Sequence, residues 1–314
     1  MAASYYKPSG KVTPAFFVFY LLFIAVAIPI LSLIYIHLNW FVPFIYVNFF
    51  FTVGCGIALG FVVMLAAKMG KARNPWVVLL LTVIAVILLK YVQWTVYIPL
   101  VISDAYRLIQ LTFMERLNVS RQILVDPMWV IEDIQFINEH GVWSIGEAGT
   151  PVRGTILYIV WAAEFLILMG GAILLSWGQP RFPFSEETNE WYTQMENQIT
   201  IAVPENIDYA KTRIENSDFG ELIWLAQNTR KPEAPAEAGT EADAGPETPL
   251  GETSQWVLTL YEPPQASAQS PYYITIAHTT TTLGKKDKED VKTDELFTYL
   301  AVDYNSARAL YQTT

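Results

Sequence analysis

Two ionisable residues stand where such residues are rare: Lys90 within VILLKYVQWTV and Glu164 within IVWAAEFLIL. A lone charge at the centre of a bilayer costs about 2.5–3.5 kcal/mol on insertion scales, so intramembrane charges are paired or lead into a polar path. Opposite signs in two apolar runs point to one pair, ionised together or neutralised by passing the proton from ammonium to carboxylate. Such a pair suits a proton or ion path, or a switch whose salt bridge opens. It equally suits a structural role, fixing helix register and the choice of neighbour. Helical spacing sets Gln93, Trp94 and Tyr97 on the face of Lys90, and Trp161, Leu168 and Gly171 on that of Glu164. The missing side chain of Gly171 permits a close helix approach.

The pair must be carried by elements long enough to reach the same depth. A bilayer core of about 30 Å takes about 20 apolar helical residues. Four runs qualify: Pro14–Leu38 with Pro29 as a kink, Phe41–Ala67, Trp76–Ile102 and Pro151–Trp177. Lys7 and Lys11 followed by Ala25-Val26-Ala27 have the form of a secretory signal. The apolar run continues to Leu38, however, so a retained first span is expected. At about 1.5 Å per residue, Lys90 stands about 21 Å above Trp76, and Glu164 about 20 Å above Trp177. Antiparallel third and fourth spans bring them level.

Positive charge on the loops gives the orientation. Lys7, Lys11, Lys68, Lys71, Arg73 and Arg181 fall on one side, and Arg107, Arg116 and Arg121 on the other. Both termini are therefore expected in the cytoplasm, with residues 103–150 outside. Trp40 and Trp94 near one face, and Trp76 and Trp177 near the other, suit interfacial belts. Gly56 and Gly60 make a small-xxx-small step, with Ala67 two turns on; the contact serves the molecule itself or a homo-oligomer. Asn48 and Thr52 are placed to hydrogen-bond across helices.

The outer loop has its own punctuation. Asp126-Pro127 opens a helix that Gly141 stops, with Val130, Ile131, Ile134 and Ile137 on its apolar face. A preceding helix is expected over 105–124. Two amphipathic helices lying on the outer membrane surface or capping the bundle follow. Glu132, Asp133, Glu139, Glu147 and His140 lack paired-ligand spacing and read as a solvated face, so no metal is expected. Asn118-Val119-Ser120 fits a glycosylation triplet that chance often supplies.

After Trp177 the composition changes. A strand at 198–203 and a helical stretch at 206–227 broken near Ser217 precede residues 231–254, KPEAPAEAGTEADAGPETPLGETS, too rich in Pro, Gly and acid to order itself. Three strands follow at 256–262, 272–282 and 296–303, then a helix at 306–311. Neither flank is large enough for a core of its own, which favours one domain at 181–314 with an inserted acidic loop. GKKDKEDVK at 284–292 reads as a solvated hairpin loop.

The expected fold is therefore a four-helix transmembrane bundle at 1–180 followed by a soluble α+β domain. The chain has 53% apolar and 16% charged residues, and its net charge of −10 sits mostly in the tail, which excludes a nucleic-acid partner. One cysteine, Cys55, rules out a disulfide framework, and His37, His140 and His278 are too scattered for a metal centre. No Walker loop, dinucleotide fingerprint, GxSxG elbow or kinase set occurs, and His278 has no partner legible in sequence. No cofactor is expected. The leading expectation is a non-enzymatic anchor in a bacterial inner membrane, presenting the C-terminal domain to a protein partner. The alternative is a small transporter or channel using Lys90 and Glu164.

Overall fold

Proline and a capping side chain open most of the long helices. Thr13 Oγ1 accepts from the Phe16 amide ahead of α1 (Pro14–Phe41), and Asn74 Oδ1 accepts from Trp76 and Val77 ahead of α3 (Pro75–Leu100). Between them runs α2 (Ile45–Met69). The computed structural model describes residues 4–42, 45–105, 107, 109–141, 144–145, 150–228, 253–265, 270–283 and 289–312. The chain forms two units, Pro8–Arg181 and a second made of Phe182–Thr314 with the N-terminal residues up to Lys7.

In the first unit, α3 ends in a π turn (Val101–Ala105). The helix expected over 105–124 forms only in its second half, as α4 (Phe113–Leu124). A capping box starts it there, with Thr112 and Glu115 each serving the other's backbone amide. Helix α5 (Pro127–His140) begins at Asp126 and stops at Gly141, whose φ of 74° glycine adopts freely. Val130 and Ile137 of its expected apolar face are buried, whereas Ile131 points outward. The fourth long helix, α6 (Thr155–Ser176), starts later than expected. Pro151 belongs to a two-residue strand, β2 (Thr150–Pro151), paired with β1 (Ser144–Ile145), and Gly154 at φ 67° turns the chain into the helix.

Four helices, α1, α2, α3 and α6, are long and apolar enough to cross a membrane by length and composition. Helix α1 packs on α2 and α3, and α6 on α2 and α3, so the four close a ring around Phe16, Tyr20, Leu59, Val63, Leu89 and Leu168. The tightest seam is α2 against α6. A Cβ on Gly56 would run into the Leu168 backbone, one on Gly60 into that of Ala172, while Gly171 lies against Val53 and Ile57. Three glycines on two helices thus set this interhelical distance.

The second unit is an antiparallel sheet with helices on one face. Its central strand β7 (Thr253–Glu262) pairs with β8 (Tyr272–Leu283), and β8 pairs with β9 (Glu289–Val302). On the far edge of β7 lie β5 (Thr193–Gln194) and β6 (Ile199–Ala202); β3 (Phe184–Ser185) and β4 (Glu190–Trp191) form a separate hairpin. Strands from both sides of the acidic segment therefore share one sheet. Residues 231–252 of that segment, like 284–288 of the expected hairpin loop, lie outside the described residues, while 253–254 belong to β7 and 289–292 to β9. Trp256, Leu258 and Leu260 alternate onto one face with Ile274, Ile276, Phe297 and Leu300. That face is covered by α7 (Ile207–Glu215), α8 (Gly220–Asn228) and α9 (Tyr304–Tyr311), with Ser217 at φ 61° making the break between α7 and α8.

The opposite face carries an addition that the sequence pattern does not predict. The chain's own N-terminus adds to β9: Tyr6 donates to the Tyr299 carbonyl at 2.9 Å, and Ala301 donates to that of Ser4 at 2.7 Å. Tyr6, Tyr261, Tyr273, Tyr299 and Phe182 form a chain of edge-on contacts, and Tyr192 lies tilted against Tyr273, at centroid distances of 5.1–6.4 Å. Burial pushes the Tyr261 and Tyr273 phenols above their ordinary range, further from ionisation.

Gly60→Val is expected to destabilise the first unit by about 1–3 kcal/mol through overpacking against the Ala172 backbone. Gly54→Ala, where the added carbon meets open space, should be tolerated. Thermal unfolding of the detergent-solubilised chain compares the two.

Candidate functional site

Helices α3 and α6 run antiparallel, and matched contacts climb the seam between them. At one end the Trp76 and Trp177 rings meet edge-on at 5.4 Å, with the Arg181 guanidinium stacked 3.9 Å over Trp177. Next, Thr82 donates to Ser176 at 2.9 Å. Lys90 Nζ then stands 3.1 Å from Glu164 Oε2. One turn further, Trp94 meets Trp161 edge-on at 4.8 Å, and Tyr97 and Trp40 extend the aromatic row. Each step up α3 is thus matched by a step down α6.

The pair is not fully enclosed: the Lys90 side chain is 16% exposed and that of Glu164 34%. A ring from α1 faces the ammonium, with the Tyr35 centroid 5.9 Å from Nζ. Tyr35 in turn shares a 3.0 Å hydrogen bond with Thr52 of α2, and Thr52 donates to the Asn48 carbonyl at 2.9 Å. All four long helices therefore contribute a polar group near one level.

The face read from sequence divides. Lys90 and Trp94 turn toward α6, but Gln93 turns toward α2, where its amide nitrogen lies 3.7 Å from Cys55 Sγ. The separation of about 60° between the directions of residues 90 and 93 on a helix is enough to send them to different neighbours. Leu168 and Gly171, expected on the Glu164 face, likewise serve the α2 contact. Tyr35, Ser32 and Cys55 are partners of this layer that the sequence reading does not single out. The signal available was their position one or two helical turns apart in runs with few other polar residues.

Three buried oxygens here, Ser32 Oγ, Asn48 Oδ1 and Gln93 Oε1, have no hydrogen-bond partner among the described residues. In an apolar surrounding each such group is costly unless it finds a partner.

Comparison with protein-family models, curated proteins and solved structures finds no match. The chemistry must be read from the side chains themselves.

Other candidates give less. Among the described residues no group of three or more His, Cys, Asp or Glu converges as a metal site, and Glu147 lies outside them. In the sheet unit His278 does have a partner, since its Nε2 hydrogen-bonds the Ser254 hydroxyl across β7 and β8. Asp294 faces His278 in register, yet its carboxylate bonds Lys292 Nζ at 3.0 Å. A serine–histidine contact alone supplies neither an oriented base nor an oxyanion pocket.

Lys90→Met and Glu164→Gln are each expected to destabilise the first unit by about 3 kcal/mol, because each leaves a charge or strong polar group unpaired. The double substitution should recover much of that loss. Steric-trapping or thermal unfolding of the full chain in bicelles measures the cycle; additive losses would show that the two residues do not interact.

Proposed function

We propose that the chain is a four-span membrane protein that anchors and presents a folded cytoplasmic sheet domain to a protein partner, most simply in a bacterial inner membrane. The observation that carries this reading is that the sheet unit closes a core of its own, using strands from both sides of the acidic segment and the N-terminal residues. A strand supplied from before α1 to a sheet that follows α6 requires both ends on one side of the membrane. An even number of spans meets that requirement. Loop charges agree: Lys7, Lys11, Lys68, Lys71, Arg73 and Arg181 on that side outnumber Arg107, Arg116, Arg121 and Arg153 on the other.

Orientation is tested on cells or right-side-out vesicles with a membrane-impermeant maleimide. A cysteine replacing Glu139 should react from outside, and one replacing Glu215 only after lysis; the reverse pattern overturns the orientation. The anchoring role predicts a cross-linked partner that the full chain captures and a chain ending at Arg181 does not. Identical captures by both, or none by either, removes the scaffold reading.

A second reading is favoured by one observation, a partly exposed Lys90–Glu164 pair with the orphaned Gln93 oxygen about one turn along α3. A hydrated ion pair with exchangeable protons could serve a proton-coupled transporter. It predicts that Lys90→Met or Glu164→Gln changes proton flux in reconstituted vesicles at equal protein content, and that Lys90→Glu with Glu164→Lys partly restores it. Flux indistinguishable from empty vesicles in every variant ends this reading.

A further inference from the structure

The hairpin of α4 and α5 does not simply lie across the end of the bundle. Tyr91 of α3 donates its hydroxyl to the carbonyl of Leu124, the last residue of α4, at 2.8 Å. Tyr91 precedes the end of α3 at Leu100 by nine residues, which is about 13 Å along a helix axis. Helix α4 therefore descends beside α3, and α5 climbs back.

One side of the hairpin is spoken for. Ile123, Val130 and Ile137 are buried against Ile98 and Val101 of α3 and its π turn. The turn itself is different. Leu124, Val125, Met128 and Trp129 are 40%, 80%, 62% and 44% exposed, which puts four large apolar side chains outward around one tight turn. Its backbone needs little from water. Asp126 donates to the Ile123 carbonyl at 3.0 Å, and the Asp126 carboxylate accepts from Met128 and Trp129 at 3.1 and 3.3 Å. The Leu124 carbonyl is taken by Tyr91. Apart from Asp126, charged residues stand back from the turn: Arg121 about one turn up α4, Glu132 and Asp133 more than a turn after Pro127 on α5.

The exposed tip continues another apolar surface. On α3, Leu80, Ile84, Ile87 and Tyr91 follow one helix face, and the first three are exposed. The hairpin begins to cover that face at Tyr91.

We propose that the α4–α5 hairpin is re-entrant, its tip at Leu124–Trp129 immersed in the lipid of the outer leaflet, below the boundary of headgroups and acyl chains. The inference rests on the membrane reading given above. A core of about 30 Å that begins at Trp76 ends about level with Val96. Tyr91 is five residues deeper, so the tip lies about 8 Å below that boundary. That depth falls in the range of about 5–10 Å reached by the apolar faces of interfacial helices. Arg121, with its long stem, reaches back to the headgroups. Asp126 is tolerated because its oxygen is committed to the helix N-terminus.

The test uses the full chain reconstituted in phosphatidylcholine vesicles, with Cys55→Ala as background and single spin labels at Val125→Cys, Met128→Cys, Glu139→Cys and Leu80→Cys. Collision with oxygen, which concentrates in lipid, is compared with collision with a water-soluble nickel chelate. The labels at 125 and 128 are expected to favour oxygen several-fold over the label at 139, and to approach that at 80. A ratio equal to that at 139 places the tip in water, and protection from both reagents places it under protein. Either result overturns the proposal while the lipid-exposed control at 80 leaves the spans intact. An aqueous reading at 80 as well would remove the membrane reading itself.

Discussion

A polar group buried among apolar side chains has only its own protein to turn to, and the first unit is organised around that constraint. Lys90 and Glu164 satisfy each other at 3.1 Å, but only because two other contacts hold their helices in step. The Trp76–Trp177 contact aligns α3 and α6 at one end, and the Thr82–Ser176 hydrogen bond keeps the register between it and the pair. Gly56, Gly60 and Gly171 then let α6 lie so close to α2 that it has little freedom to slide. A side chain at any of these glycines would push the α6 backbone, and with it the carboxylate, away from this position. The ion pair is thus the consequence of packing as much as its cause. Its net contribution to stability is smaller than its geometry suggests, since desolvation offsets much of the attraction.

The same constraint explains where irregular backbone occurs. The π turn after α3, the α4–α5 turn and the entry to α6 all leave amides and carbonyls outside regular helix. Side chains or neighbouring backbone meet many of them: Asp126 at α5, Thr112 and Glu115 at α4, Tyr91 at the Leu124 carbonyl, and the Asn138 carbonyl accepting from Gly154. Arg116 joins Asp104 at 2.7 Å and so ties the π turn to α4. Side-chain oxygens of Ser32, Asn48, Gln93, Asp133 and Asn138 are exceptions among the described residues.

What could be read from the chain divides along the range of the interaction involved. The start of α5 at Asp126-Pro127, its end at Gly141, the break at Ser217 and the alternation of Trp256, Leu258 and Leu260 are local, and each was legible because the residue types themselves dictate the geometry. Matching the depths of Lys90 and Glu164 was legible because helical rise is constant. The direction of Gln93 was not, because a helix face is broad and only the neighbour's position decides which edge of it is used. The length of α4 was not legible either: apolar periodicity continues upstream of Thr112, while the capping box, a four-residue signal, sets the true start. Farthest out of reach was the tyrosine face. Its members come from residues 6, 192, 261, 273 and 299, and no local pattern announces that they meet.

The N-terminal strand changes how the second unit should be regarded. Tyr299 adopts φ 54°, a left-handed conformation unusual for a bulky residue and costing on the order of 1–3 kcal/mol. It occurs where the β8–β9 register slips, and both of its backbone groups are used: its amide donates to Thr275 at 3.3 Å and its carbonyl accepts from Tyr6 at 2.9 Å. The bulge aims the Tyr299 ring at Tyr6 and Tyr261, so strain, strand addition and aromatic packing reinforce one another. Residues made before the first long helix are thereby joined to residues made after the last. The sheet unit cannot be completed until the whole first unit has been synthesised, and in the membrane reading it closes only when both ends of the chain reach the same compartment. A tail that simply followed the bundle would impose no such condition. In that membrane reading, correct insertion of all four spans is a prerequisite for finishing the sheet.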